Sequence, residues 1–376
     1  MSGRRAASLA ALFLVASSAL AGSLTGNMEA VEKIRGRKFI RTVQTAEIKR
    51  TDLRAHLQKQ MGKDLPYTVE DWSRILRALQ LVDVDAKEVM PKLLGLYEAQ
   101  VLAFYDADTH IYYAIDKLPP GISEMAQGAD PKMVEEMVQV HELMHALQDQ
   151  HWAIGERDKK LRTDTDAMLA YHAVLEGEAV LVMLANMMSA MGVDLDTVLA
   201  DENIAKTVLN AAKAEQAAMD LGGAPKYFGE MLKFPYLDGL SFVVEAYRRG
   251  GWKELDKIHA NPPRSTREIL HPEDYFSGKF KPEAFDDKKP EGALSVEHLG
   301  EFHWAYLAGA ENARGWMADR VVILKDGGVK VETRWETPAH AKKFADAYGK
   351  FLTARKLAPQ VTHEGNVVRV AYTAAK

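Results

Sequence analysis

From Thr45 to Leu102 apolar residues return at three- and four-residue spacing, the period of helices that turn one face to a core. Thr51, Thr68 and Asp85 stand where N-caps would open three short amphipathic segments, so the region up to residue 100 is expected to be helical. The pattern then changes. Val101–Tyr105 and His110–Ile115 are rich in aromatic and β-branched residues and flank Asp106-Ala107-Asp108, which predicts a β-hairpin ended by Pro119-Pro120-Gly121. Asp130 as N-cap and Pro131 at the first helical position open a long helix running to about Trp152, with Met133, Val134, Met137, Val138, Val140, Met144 and Leu147 as its buried positions.

A polar stretch, Gly155 to Thr163, precedes a second long helix that begins near Asp164 or Asp166 and continues, rich in Ala, Leu and Met, to Met191. Further helices are expected around 201–220 and 239–249, the latter stopped by Gly250-Gly251. Pro262-Pro263 and the charged run from Phe285 to Pro290 read as loop and linker. From about Val321 the chain predicts strand, strand, a helix from Pro338 to about Lys356, and strand, with Asp326-Gly327-Gly328 as a hairpin turn. The expected class is therefore α+β and mostly helical, divided into a helical N-terminal region (22–100), a central unit (101–285) and a small α/β C-terminal segment (291–376). No repeat or low-complexity segment interrupts it.

Forty-eight basic against 53 acidic residues give a formal charge of −5, and no basic block appears, which argues against nucleic acid as a partner. The absence of Cys removes disulfides, thiolate metal sites and thiol nucleophiles together, leaving His and carboxylates as the strong ligands. Arg4 and Arg5, the apolar run Ala6–Leu20 and the small residues of Ala19-Leu20-Ala21 have the order of a signal peptide cleaved after Ala21, and hence of an exported, periplasmic or secreted, protein. That run is short for a bilayer span, which takes roughly 20 residues. No other stretch reads as continuously apolar enough to span.

The chemistry is concentrated in His141-Glu142-Leu143-Met144-His145, inside the first long helix. Residues i and i+4 share a face, so both imidazoles reach one metal ion, while Glu142, one position round, reaches a water on that ion. A catalytic zinc site keeps three protein ligands and one open position. The second long helix offers the third in Leu175-Glu176-Gly177-Glu178-Ala179. Glu176 is the choice, because the adjacent glycine lets the helix pack closely against the first; Glu178 points elsewhere, and His172, four before Glu176 on the same face, is the alternative ligand or a donor behind it. His151 is too far round from His145 and reads as structural.

At these residues the chain resembles the gluzincin metallopeptidases. His141 to Asp149 looks like the thermolysin helix, including the Asp four after the second His. Leu175-Glu-Gly-Glu-Ala179 looks like the third-ligand segment of the aminopeptidase N family, and Phe234-Pro-Tyr236-Leu-Asp-Gly239 is similar to the segment of that family whose tyrosine stabilises an oxyanion. Closer still, Phe104-Tyr-Asp106, His141–Gln150, Glu176–Ala179, Pro235-Tyr236, Gly250-Gly-Trp252 and Pro262-Pro-Arg-Ser-Thr266 to Ile269-Leu-His-Pro272 resemble a group of exported bacterial zinc metallopeptidases of unassigned substrate, over about residues 100–335. Val180 and Leu175 depart from the acidic and amide residues that thermolysin and the aminopeptidases hold beside the third ligand. No segment resembles the amine-anchoring loop of the aminopeptidases.

The resemblance implies a zincin-like core with His141, His145 and Glu176 on Zn²⁺, Glu142 as general base, and a peptide or protein as substrate. Tyr236 is then an oxyanion donor or a core aromatic beside Pro235, and His271 a second oxyanion donor or a turn residue. The strand His110–Ile115 is a candidate edge for an extended peptide. A catalytically inactive zinc- or peptide-binding scaffold and a zinc hydrolase of cell-wall amide bonds are the rival readings. Among the remaining features, Asp149 orients a ligand or faces solvent, Asp319 and Arg320 are candidate ion-pair partners at the C-terminal strands, and Trp252 and the run Met187, Met188, Met191 read as packing.

Overall fold

The computed structural model describes residues 24–117, 131–201, 207, 210, 222–283, 285 and 288–374. The expected leader, Asp130 and nearly all of the 201–220 helix lie outside these residues. In chain order the elements are α1 (Leu24–Arg35), β1 (Gln44–Ile48), α2 (Arg50–Asp64), α3 (Val69–Ala78), α4 (Ala86–Gln100), β2 (Ala103–Asp106), β3 (Ile111–Ile115), α5 (Pro131–Trp152), α6 (Ile154–Leu161), α7 (Thr165–Ala190) and α8 (Leu195–Ala200). After residue 222 follow α9 (Lys226–Gly250), α10 (Trp252–Ala260), α11 (Thr266–Leu270), α12 (Pro272–Ser277), β4 (Ala293–Glu297), α13 (Gly300–Ala308), α14 (Ala310–Ala313), β5 (Trp316–Leu324), β6 (Gly328–Trp335), α15 (Pro338–Ala354), β7 (Gln360–Glu364) and β8 (Val367–Thr373). The fold is mixed α+β, mostly helical, with two separate sheets.

The local rules hold where capping chemistry is strong. Asp164 accepts from the amide of Ala167 to open α7, Thr68 from that of Asp71 to open α3, and Thr337 from that of His340 ahead of Pro338. Thr51 is not a cap: α2 begins one residue earlier, at Arg50, behind Lys49. α9 begins well before residue 239 and carries Pro235 inside it, so Phe234–Gly239 is helical. The C-terminal sheet starts earlier than Val321 and is larger than expected, in the order β4-β5-β6-β8-β7, all antiparallel.

The small sheet has the order β1-β3-β2. β1, unforeseen in a region of helical periodicity, pairs parallel to β3, and β2 pairs antiparallel to its other side. Strand 111–115 is thus the centre of the sheet. This overturns the expectation of a free edge there: the open edge beside α5 belongs to β2.

Two cores divide the helices. One gathers Val31 of α1, Val134 to Leu147 of α5, Leu169 to Met187 of α7 and Phe234 to Ala246 of α9. The other gathers Ile75 to Leu96 of α3 and α4, Tyr227 and Phe228 at the start of α9, and the inner faces of the C-terminal sheet and α15. α7 lies in the middle of the first core. Its length and hydropathy match a membrane span, which corrects the expectation that no stretch beyond the leader is so apolar. Its burial on nearly every side assigns that hydropathy to the core.

Asp319 corrects another reading. Its buried carboxylate accepts from the Leu299 and Gly300 amides and from the indole N–H groups of Trp304 and Trp316, at 2.8 to 3.0 Å. It joins the start of α13 to β5 and forms no pair with Arg320, which donates to the Lys288 carbonyl.

Candidate metal centre

α5 and α7 cross so that His141 Nε2, His145 Nε2 and Glu176 Oε2 converge. The two imidazole nitrogens are 3.1 Å apart, and the carboxylate oxygen lies 3.1 Å from the first and 3.4 Å from the second. Among the described residues this is the group able to hold a metal ion with three such side chains. One turn of α5 brings the two histidines together, their rings edge to face. Burial disfavours charge on His145 and Glu176. The carboxylate outweighs it for His145, whose pKa is pushed up to about 9, and the two imidazoles hold Glu176 below the ordinary carboxylate range.

Gln148 sets the tautomer of His145. Its amide nitrogen donates to the Leu175 carbonyl at 3.0 Å and to Glu178 Oε2 at 2.9 Å, so its oxygen faces His145 Nδ1 at 2.9 Å as an acceptor. The Nδ1 therefore carries a proton and Nε2 is the nitrogen turned to the cluster. Gln148 is fully buried, and it ties α5 to the residue just before Glu176. Behind it Glu178 accepts from Arg35 Nε at 2.6 Å and meets His259 Nε2 at 2.6 Å, and Asp256 takes the other end of the Arg35 guanidinium. Glu178 does point away from the cluster, and this is what it points at.

Glu142 is held from the sheet. Leu102 accepts from the Ile115 amide, which sets the phase of the β2–β3 ladder and turns the N–H and C=O of Ala103 and Tyr105 to the open edge. The Tyr105 N–H donates to Glu142 Oε2 at 2.8 Å. Burial pushes the Glu142 carboxyl above the usual range, partly offset by the neighbouring histidines.

Tyr236 comes from α9. Its ring stacks on that of His141, centroids 5.9 Å apart and 12° from parallel, and its hydroxyl donates to Glu176. Burial and the two carboxylates hold this phenol well above its ordinary pKa, so it is a donor at neutral pH. The approach depends on two glycines. A Cβ on Gly177 would stand 2.3 Å from the Gly239 carbonyl carbon, and one on Gly239 would stand 2.1 Å from the Ala173 oxygen. The glycine beside Glu176 thus serves contact with α9, where the sequence suggested α5.

The other expected residues lie elsewhere. His172 pairs with Asp158 at 3.1 Å and stays out of the ligand triangle. Asp149 neither orients a ligand nor faces solvent: it is buried, and its Oδ2 takes the Tyr105 hydroxyl at 2.9 Å and His110 Nδ1 at 2.7 Å. His151 meets the Lys38 carbonyl. His271 is engaged through Nε2 by Glu301 at 2.7 Å and through Nδ1 by Arg314, so neither ring nitrogen is left for an oxyanion. Three contributors went unread in the sequence. Gln148 and Tyr105 fall within segments that carry the resemblance without being singled out there, and Tyr97 of α4, whose hydroxyl is raised to about 12 by burial and the Glu176 charge, comes from a helix far away in the chain.

Beside the cluster a cavity of about 410 Å³ runs between α2, α3, α4, α7 and α9. Glu176 and Tyr236 stand in its wall.

Residues 279–375 match a family model described as "Domain of unknown function (DUF8575)", a segment wholly C-terminal to the cluster. No curated protein and no solved structure matches the chain.

Proposed function

We propose that the protein is a zinc-dependent hydrolase of peptide bonds, with a zincin-like core formed by β2, α5, α7 and α9. The observation that carries this reading is the ligand triangle. Bonds of about 2.0–2.1 Å to a tetrahedral Zn²⁺ place neighbouring ligand atoms about 3.3–3.4 Å apart; the three here are separated by 3.1 to 3.4 Å. Two imidazoles converging through Nε2 and one carboxylate form a donor set that suits this ion. When bound, Zn²⁺ lowers the pKa of a water to about 7 and polarises a carbonyl.

The side chains then divide the work. Glu142, desolvated and steered by the Tyr105 amide, accepts the proton of the attacking water and passes it to the nitrogen of the leaving amine as the C–N bond breaks. Tyr236, turning its hydroxyl from Glu176, donates to the oxygen of the tetrahedral carbon, a contact worth about 2.7–4 kcal/mol in comparable sites. The outward C=O of Ala103 and Tyr105 on β2 offers the acceptors that an extended peptide would add to.

The test is elemental analysis with a peptide-cleavage assay. Wild type is expected to hold one zinc per chain and Glu176→Ala to lose it; Glu142→Gln is expected to keep the zinc and lose hydrolysis. A folded wild type that takes up no zinc, or equal turnover by Glu142→Gln, would overturn the reading.

A further inference from the structure

The cavity beside the cluster says what kind of substrate fits. Its walls include Met61 of α2, Ile75 and Leu76 of α3, Leu93 of α4, Leu169 of α7 and Met231 of α9, with others like them. Several polar groups along it are bonded to one another or to a neighbour, the Tyr67 hydroxyl to Glu297 at 2.9 Å, the Tyr227 hydroxyl to His303 at 3.0 Å and His172 to Asp158 at 3.1 Å, and Arg162 and Thr165 also line it. Glu176 and Tyr236 are shared between the cavity wall and the cluster. The result is a mostly apolar body that borders the cluster.

Two arguments narrow the occupant. Most of the wall is helix whose backbone groups are bonded within it, the Met231 carbonyl ahead of Pro235 and the non-helical residues 65–67, 81 and 297–299 excepted, so an extended peptide lying inside would bury several amides without partners, at roughly 1–3 kcal/mol each. The occupant therefore carries no backbone. A side chain meets that condition, but 410 Å³ is about fourteen times the roughly 30 Å³ of one water, more than a single side chain fills. A straight aliphatic chain of about a dozen carbons meets both conditions.

We infer that the cavity holds the acyl chain of an N-acylated peptide or amine whose scissile amide sits at the cluster. The inference rests on the hydrolase reading and gives its substrate class. The reaction stays hydrolytic: one water adds to the carbonyl carbon, the C–N bond breaks, and a carboxylic acid and an amine leave.

The experiment is a fluorescence titration with 11-(dansylamino)undecanoic acid, on zinc-loaded and chelator-treated protein, with zinc content measured on the same samples. Saturable binding is expected, displaced by straight-chain fatty acids whose affinity rises about fourfold per methylene and levels off near twelve carbons. Met231→Trp and Met61→Trp, which add bulk to the wall from two different helices, are each expected to weaken the probe at least tenfold with zinc content unchanged. Absence of binding, competition independent of chain length, or full affinity in both folded variants would overturn the inference. The wild-type chain-length series decides the matter even if both variants fail to fold. Zinc without probe binding refutes the acyl site alone; probe binding without zinc refutes the metal reading alone.

Discussion

Replacing Gly177 with Ala tests how α9 delivers Tyr236. The new Cβ would begin 2.3 Å from the carbonyl carbon and 2.4 Å from the oxygen of Gly239, whereas ordinary contact starts at 3.4 Å, so the helices must part by about 1.1 Å there. Both groups are backbone of long, buried helices, and no side chain can swing aside. Overpacking of this kind costs about 1–3 kcal/mol, against which the helix propensity of Ala over Gly returns about 1 kcal/mol. Net destabilisation of up to about 2 kcal/mol is expected, with the Tyr236–Glu176 hydrogen bond stretched out of its working range. Gly62 and Gly95 are helical glycines with nothing within 4 Å of an added Cβ. Gly62→Ala and Gly95→Ala should therefore stabilise by up to about 1 kcal/mol. Urea unfolding midpoints at unchanged slope report all three, and the double variant Gly177→Ala/Gly239→Ala should cost less than the sum of its parts, since one separation accommodates both methyl groups. A Gly177→Ala protein as stable as Gly62→Ala, with zinc and turnover unchanged, would refute the close-crossing argument.

Gln148→Leu should lower zinc affinity about 10- to 100-fold in chelator competition by depriving the His145 Nδ1–H of its acceptor. Asp319→Ala leaves two indole and two amide donors unsatisfied and should destabilise by more than about 3 kcal/mol in thermal or urea unfolding. Asp166 is a buried carboxyl raised by that burial to about 7, with the Thr266 amide and hydroxyl working against the shift. Its folded form holds a proton that the unfolded chain releases near pH 4, so its contribution falls as pH rises from about 4 to 7. Asp166→Asn should remove that part of the pH dependence, visible as a smaller drop in unfolding free energy across the window than in wild type.

How much the sequence reveals follows the range of the interaction. His141, Glu142 and His145 sit within five residues on one helix, so their convergence needs only the helical repeat. The caps at Thr68, Asp164 and Thr337 are equally local. Glu176 was legible through ligand chemistry, although the reason attached to its glycine named the wrong neighbour, because sequence spacing does not say which helix crosses another. Gln148 reads as an ordinary interior residue until α7 is laid against it. The order of the small sheet was hidden because β1 lies in a stretch whose spacing suits a helix, and its pairing with β3 is decided across more than sixty residues of chain. His271, singled out from its neighbours Leu270 and Pro272, proved to be bound by Glu301 and Arg314, which arrive from later elements.

The guanidinium of Arg35 has a bearing on how the chain acquires its shape. It is almost wholly enclosed, and its partners Glu178 and Asp256 follow it by 143 and 221 residues. During synthesis α1 thus emerges long before either carboxylate exists, and its charge has only one of its two partners until α10 has been made. Contacts of such separation slow folding, because a long loop must close before any of them is gained. The support behind His145 is therefore among the last parts to close, and a nascent chain shorter than about 256 residues is expected to hold its histidines loosely even with both ligand helices formed.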